Sequence, residues 1–217
     1  MTSHAKLLTG LFPANVATVF SDALPANAEL LGPELTHAQK MAQKRYNEFI
    51  HGRWCARQAM QLAGVAPVAI DKGPNREPVW PEKVAGSISH TKQFAGAVIA
   101  STDDYTGIGL DMESAAPLEE KLFKAICLPE ETALFGETPG QQAKLLFSAK
   151  EAIYKCLWPS VQRYIDFLEM QVHIDHEDHT FSATPHTDKC SPELVAAMQG
   201  RFVVTDQLVM ASAWIQA

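Results

Sequence analysis

The chain has 217 residues, 47% apolar and 20% charged, a mix that builds a packed globular core and excludes a disordered chain. Lys and Arg number 18 against 25 Asp and Glu, for a net charge of -7. That acidic balance excludes a general binder of nucleic acid or of anionic membranes, although a local basic patch facing one phosphorylated ligand is compatible with it.

Cys55, Cys127, Cys156 and Cys190 form no C-x-x-C pair, so their spacing gives neither a zinc site nor a disulfide framework. Cys55 and Cys156 fall in helical segments and read as small buried hydrophobes. The N-terminus lacks the charged and apolar regions of a signal peptide, and no stretch is long enough to span a membrane. A soluble protein of the reducing cytoplasm is expected.

In chain order, residues up to Gly32 read as irregular, with a strand-like piece at Val16–Phe20. Thr36 followed by Gln39 is a capping-box pattern. It predicts a long helix, or two shorter ones, over 37–62, ending at Gly64. Val65–Ile70 is a short strand candidate. The loop DKGPNREPVWP (71–81), with its three prolines, is expected to hold no regular structure. Ala85–Ser89 and Ala95–Ala100 predict a hairpin closed by 90–94, and Gly107–Met112 is expected to complete that small sheet. Pro117–Phe135 reads as helical with a break near Pro129. A helix follows from Thr138 as N-cap, with Pro139 at its first position and Gln141 completing a capping box, to a stop before Pro159. QVHID, HTFSATP, RFVVT and LVMASAWI are strands. The order helix, strands, helices, strands predicts an α+β fold, and the polar, turn-rich STDDYTG (101–107) suggests a lobe boundary.

Four groups of residues carry chemistry. In GIGLDME (107–113), residues two apart on a strand face the same way, so Asp111 and Glu113 project together. Paired carboxylates suit a hard cation such as Mg²⁺, and also suit a solvated strand end. In FSAKEAIYK (147–155), Ala149, Ala152, Ile153 and Cys156 form the apolar helix face. Ser148, Glu151 and Lys155 share a neighbouring stripe. Glu151 and Lys155 have the spacing of an ordinary helical ion pair, or of a third metal carboxylate beside a phosphate-binding lysine. Ser89 and His90, ending a strand, can donate to phosphate oxygens. Arg53 and Arg57 share a helix face that Arg45 extends, and Arg76 sits in the proline-rich loop. Arginine recognises phosphate through planar, multidentate contacts, but the same residues also make a basic solvated face. Singly each signal is weak; together they describe a site for a metal and a multiply phosphorylated ligand.

GIGLDME followed by FSAKEAIYK resembles the paired signature of the 4′-phosphopantetheinyl transferase superfamily. F-x-x-G-R-x-x-A-R (49–57), R-E-P-x-W-P (76–81) and G-S-I-S-H (86–90) resemble its larger, monomeric class and, within it, the siderophore-synthase (enterobactin-type) group. The resemblance spans roughly 45–157. It implies two similar α+β lobes related by a pseudo-twofold, here 1–104 and 105–217, with the active site between them. It implies transfer of the phosphopantetheine arm of coenzyme A to a serine of an apo carrier protein (peptidyl, aryl or acyl), with release of 3′,5′-ADP, by a monomer serving siderophore or related biosynthesis.

Carried over residue by residue, Asp111, Glu113 and Glu151 match the family's magnesium carboxylates, with Mn²⁺ equally suited to such ligands. Lys155 matches the lysine near the coenzyme A pyrophosphate, and Lys150 its neighbour. Ser89 and His90 match a phosphate-contacting pair. Arg53, Arg57 and Arg76, with Arg45 as an extension, match positions that hold the nucleotide. Glu131 and Glu130 compete for an acidic position. Leu110, Met112 and Phe147 depart from the commoner residues but keep apolar bulk. Leu118, Leu122, Phe123 and Lys124 are candidates either for carrier docking or for core. Two rivals remain. A nucleotide hydrolase would share the carboxylates, but the chain has no P-loop pattern. A catalytically idle coenzyme A- or carrier-binding module would have no need of three metal acids.

Overall fold

A computed structural model describes residues 3–217. The fold is α+β, as expected, and the chain divides after Tyr105 into two compact units.

The N-terminal unit contains α1 (Ser3–Gly10), β1 (Ala17–Ser21), α2 (Pro33–Ala38), α3 (Gln43–Leu62), β2 (Asp71–Lys72), β3 (Pro78–Val79), β4 (Val84–His90) and β5 (Ala95–Ser101). β4 and β5 form the expected hairpin, with Val84 opposite Ser101 and His90 opposite Ala95. Their third partner is β1, antiparallel to β5 with Ala17 opposite Ile99, and not the Gly107–Met112 run. Central in its sheet, β5 is buried from Ala95 to Ala100. It meets the apolar face of α3 through Cys55, Ala56, Ala59 and Met60. Gly52 lets α3 lie flush on β4, because a Cβ there would come within 2.8 Å of the Ile88 side chain.

Four local expectations change in this unit. Thr36 lies inside α2 and starts no helix; α3 begins at Gln43, after an extended Ala42 with no side-chain cap. The break lets Glu34 of α2 fold back onto Arg57 of α3, which one continuous rod would hold about 35 Å away. Val65–Ile70 forms no strand. The loop 71–81 contains the short β2–β3 ladder. Gly73 and Glu77 close its turn, with Gly73 N–H donating to Glu77 O at 2.8 Å and Asn75 N–H to Glu77 Oε2 at 2.9 Å. The N-terminal stretch read as irregular also contains α1.

The C-terminal unit takes up β6 (Tyr105–Ser114) from Thr106 onward. It continues with α4 (Phe123–Ile126), α5 (Pro129–Thr132), α6 (Pro139–Val161), β7 (Met170–Asp175), β8 (Thr180–Pro185), α7 (Pro192–Ala196), β9 (Gln199–Val204) and β10 (Leu208–Gln216). Its five strands run β6-β10-β9-β8-β7. The four C-terminal strands stand where the sequence predicts them. β10 is buried from Leu208 to Ile215, as a central strand must be.

α6 is the spine of this unit. Ala149, Ala152, Ile153 and Cys156 are all buried in its core. Thr138 precedes Pro139 at the helix start but makes no side-chain cap, and Pro159 sits inside the helix rather than beyond it. There it removes one backbone bond from the last turn. The 117–135 segment is helical only in short turns, with the expected break before Pro129.

Candidate active site

In the N-terminal unit the cations gather around the start of α3. Arg45 Nη1 lies 2.9 Å from His90 Nε2. A guanidinium only donates, so Nε2 accepts and Nδ1 carries the ring proton, 3.9 Å from Glu48 Oε2. The Phe49 ring carries the Arg53 guanidinium at 4.6 Å and the Lys72 ammonium at 5.9 Å. Burial brings Arg53 down to about 10, with Glu34 opposing and Arg57 and Arg45 lowering it further. Burial also lowers Lys72, helped by Arg76, Arg45 and Arg53. These cations repel one another, and an anion would relieve that repulsion. Arg76 is exposed and held at φ 73, a left-handed conformation enforced by the Gly73–Glu77 turn. Ser89 is buried and His90 half-buried at the end of β4.

Arg57 does not belong to that accessible set. It is buried, and Nη1 donates to Glu34 Oε1 and Oε2 at 3.0 and 2.9 Å while Nη2 donates to Glu29 O. Arg53 is also buried and donates Nε to Ile70 O at 3.1 Å. The basic face read from the spacing of these two arginines is therefore an internal ion-pair centre around a fully buried Glu34.

In the C-terminal unit β6 and α6 position the acids. A Cβ on Gly107 or Gly109 would collide with the backbone carbonyls of Cys156 and Ala152. Glycine alone lets β6 run against α6, and the same strand face then carries Asp111 and Glu113 toward that helix. Lys155 Nζ donates to Asp111 Oδ1 at 2.8 Å and to Leu110 O at 3.0 Å. Lys144 Nζ donates to Glu113 Oε2 at 3.2 Å. Burial raises Glu113, Asp111 adds to the rise, and Lys144 and Lys155 oppose it. Burial likewise raises Glu151, opposed by Lys155 and reinforced by Asp111 and Glu113. The three carboxylates thus lie within electrostatic reach of one another.

Among the described residues, no three His, Cys, Asp or Glu side chains are gathered tightly enough to hold a metal ion. In kind, however, the acids suit a hard divalent cation. They are oxygen donors, they are partly desolvated, and they repel one another, a cost that a double positive charge offsets.

Lys150 departs from its expected place among the ligand contacts. It is buried, and Nζ donates to Glu131 Oε2 at 2.7 Å, Ile126 O at 2.8 Å and Phe167 O at 2.9 Å, which uses all three of its N–H groups. Glu131, not Glu130, is the buried acid. Its carboxylate also accepts from Leu128 N and Val172 N, each at 2.7 Å. Between this clamp and Glu151 opens a pocket of about 110 Å³, lined by Glu151, Tyr154, Tyr164, Ile165 and Phe167 among others. Of the docking candidates, Leu118 and Phe123 pack on the core, while Leu122 and Lys124 stay exposed.

Sequence reasoning missed Lys72 and Lys144. Lys144 was findable, because it extends the Ser148–Glu151–Lys155 stripe by one helical step of four. Ser148 Oγ, on that stripe, is buried and has no hydrogen-bond partner among the described residues.

Residues 33–100 match the family model described as the 4′-phosphopantetheinyl transferase N-terminal domain, and residues 107–205 match the 4′-phosphopantetheinyl transferase superfamily. The chain is 30% identical over 216 residues to the 4′-phosphopantetheinyl transferase Npt of Nocardia iowensis, covering 94% of this chain and 97% of that protein. It is 34% identical over 175 residues to the 4′-phosphopantetheinyl transferase PptT of Mycobacterium tuberculosis, covering 76% of each. Enterobactin synthase component D of Escherichia coli O157:H7 is 33% identical over 145 residues, covering 64% of this chain and 67% of that protein. With cations repelling one another in one unit, carboxylates repelling one another in the other, and both segments matched, the chain belongs to the 4′-phosphopantetheinyl transferase superfamily.

Proposed function

We propose that this chain moves the 4′-phosphopantetheine arm of coenzyme A onto a serine hydroxyl of an apo carrier protein and releases 3′,5′-ADP. The observation that carries the reading is that three carboxylates, Asp111, Glu113 and Glu151, lie within electrostatic reach of one another on β6 and α6, with Lys155 bonded to Asp111. A protein that only binds its ligand gains nothing from partly desolvating three acids that repel one another, and this disfavours the idle-module alternative.

Asp111, Glu113 and Glu151 are the residues to hold Mg²⁺ or Mn²⁺, which when bound neutralises charge on the pyrophosphate. Lys155 has given two N–H groups to Asp111 and Leu110, and its third donates to a phosphate oxygen. Arg45, Lys72, Arg76, Ser89 and His90 take the nucleotide and its phosphates, with Arg53 behind them as a buried positive charge. The pocket beside Glu151, with its aromatic walls, takes the pantetheine chain. The serine oxygen bonds to the β-phosphorus as the bond from that phosphorus to the bridging oxygen breaks, and 3′,5′-ADP departs with the electron pair. Glu151, the carboxylate that lines that pocket, is the residue to accept the serine proton.

The likeness to enterobactin synthase component D supports a role in siderophore or related peptide assembly. Four buried, free cysteines suit a reducing cytoplasm, and no helix among the described residues is long and apolar enough to cross a membrane.

The test is intact-protein mass spectrometry of apo peptidyl, aryl and acyl carriers after incubation with coenzyme A and Mg²⁺, with and without EDTA. One phosphopantetheine added, and lost in EDTA, is the expected result. No addition with coenzyme A still bound would instead favour the binding module.

A further inference from the structure

We propose that Lys144 is a positioning residue for Glu113, an internal ammonium that occupies the carboxylate cluster and competes with the divalent cation for it. The inference rests on the metal reading above.

Lys144 stands two turns before Glu151 on α6 and is nearly as buried as the core, with its side chain 11% exposed. Its Nζ donates to Glu113 Oε2 at 3.2 Å and lies 5.7 Å from the centre of the Phe147 ring. A lysine so placed could extend to water; here its cation is held against one acid and one aromatic face. On the other side of the cluster, Lys155 holds Asp111. Two ammoniums among three carboxylates leave one formal negative charge uncompensated. The same two bonds explain why the acids do not close into a metal-sized group: each lysine draws its own acid toward itself.

For Glu113 to turn to a divalent cation, the Lys144 bond must be given up or shared. That exchange tunes affinity in one direction. Removing the ammonium leaves two uncompensated charges and one carboxylate freed from its competitor. Opposite charges a few ångströms apart in a partly desolvated site interact by enough to shift a binding constant about tenfold. Ser148, buried on the same stripe without a partner among the described residues, offers a hydroxyl for the displaced ammonium or a water.

The experiment is a Mn²⁺ titration of the full chain, followed by electron paramagnetic resonance of the free ion, on wild type, Lys144→Gln, Lys144→Arg, Glu113→Gln and the Glu113→Gln/Lys144→Gln double variant. Wild type should bind. Lys144→Gln should bind about tenfold tighter, Lys144→Arg should stay near wild type, and the gain should vanish when Glu113 is already Gln. An unchanged or weaker affinity in Lys144→Gln overturns the proposal, as does a gain that survives in the double variant. Wild type that binds no Mn²⁺ at all sinks the metal reading first, a failure readable apart from the other two. Should Lys144→Gln not fold, lysine acetylation of wild type with and without Mn²⁺ decides. Labelling of Lys144 rises with the ion if the ammonium is displaced, and is unchanged or falls if it is not.

Discussion

The two units of this chain carry electrostatic conflicts of opposite sign, and each is organised by one long helix. Around α3, burial and neighbouring cations drive Arg53 and Lys72 down. Along α6, burial and neighbouring acids drive Glu113 and Glu151 up. Each helix also carries a cation wholly consumed by its own fold: Arg57 by Glu34, and Lys150 by Glu131 with two carbonyls. The contrast separates two kinds of charge that look alike in sequence. A buried cation bound to a buried acid, as Arg57 is to Glu34 and Lys150 to Glu131, belongs to the fold. A half-buried one with a donor left over, such as Lys155, is poised for a ligand. On the proposed function, one unit takes an anion and the other a cation, which is the polarity that a metal-bound pyrophosphate requires.

The largest break in that comparison should come from Glu151→Gln. Loss of this carboxylate should cost transfer about 10³-fold, read by the mass gain of the carrier, with no loss of fold. It should also raise stability in the absence of metal. A carboxyl held above its ordinary 4.5 favours the folded state only while protonated. That advantage is present below the unfolded value and lost as pH rises through the folded one. The amide escapes the penalty. Thermal melts in EDTA should place Glu151→Gln above wild type at about pH 8, with the gap closing toward about pH 4. An equal melting temperature across that range would show that Glu151 is not in conflict with the acids of β6.

Lys150→Met should fail in the opposite way. It leaves Glu131 buried without its cation, and breaking such a pair costs about 3–5 kcal/mol. The loss should appear in urea unfolding, with α5, β7 and the Phe167 turn released together, since Glu131 and Lys150 hold all three. A variant that is stable but loses coenzyme A affinity would return Lys150 to the ligand contacts where its motif position first put it.

How far the sequence carries is visible in these same residues. Alternation along GIGLDME places Asp111 and Glu113 on one side, and helical spacing aligns Glu151 with Lys155, because both follow from an element's own geometry. The β4–β5 hairpin and the C-terminal strands are legible for the same reason. What lies across from an element is not. Nothing local in Ala17–Ser21 marks it, rather than Gly107–Met112, as the partner of β5. Nothing in the spacing of Arg53 and Arg57 says that Glu34 waits opposite them, so a structural ion pair reads as a phosphate-binding face. Lys72 is silent because its meaning comes from Arg76 and Phe49, brought together only by the β2–β3 turn. The motif around Lys150 names a lysine but not its three acceptors.

The smallest expected effect is also the cleanest test of which arginines serve the ligand. Arg76 sits at φ 73, strained for any residue with a Cβ at a cost of about 1–2 kcal/mol. Alanine keeps the Cβ and hence the strain, so Arg76→Ala removes the guanidinium alone. It should weaken coenzyme A about tenfold by calorimetry, the worth of one charge-assisted contact, and leave the melting temperature where it was. Arg76→Gly should bind as poorly but melt higher, since glycine relieves the turn. Arg57→Ala, by contrast, should unfold at lower denaturant because Glu34 is stranded in the core. If Arg76→Ala bound normally while Arg57→Ala folded well and lost the ligand, the division between consumed and available cations would be reversed in this unit.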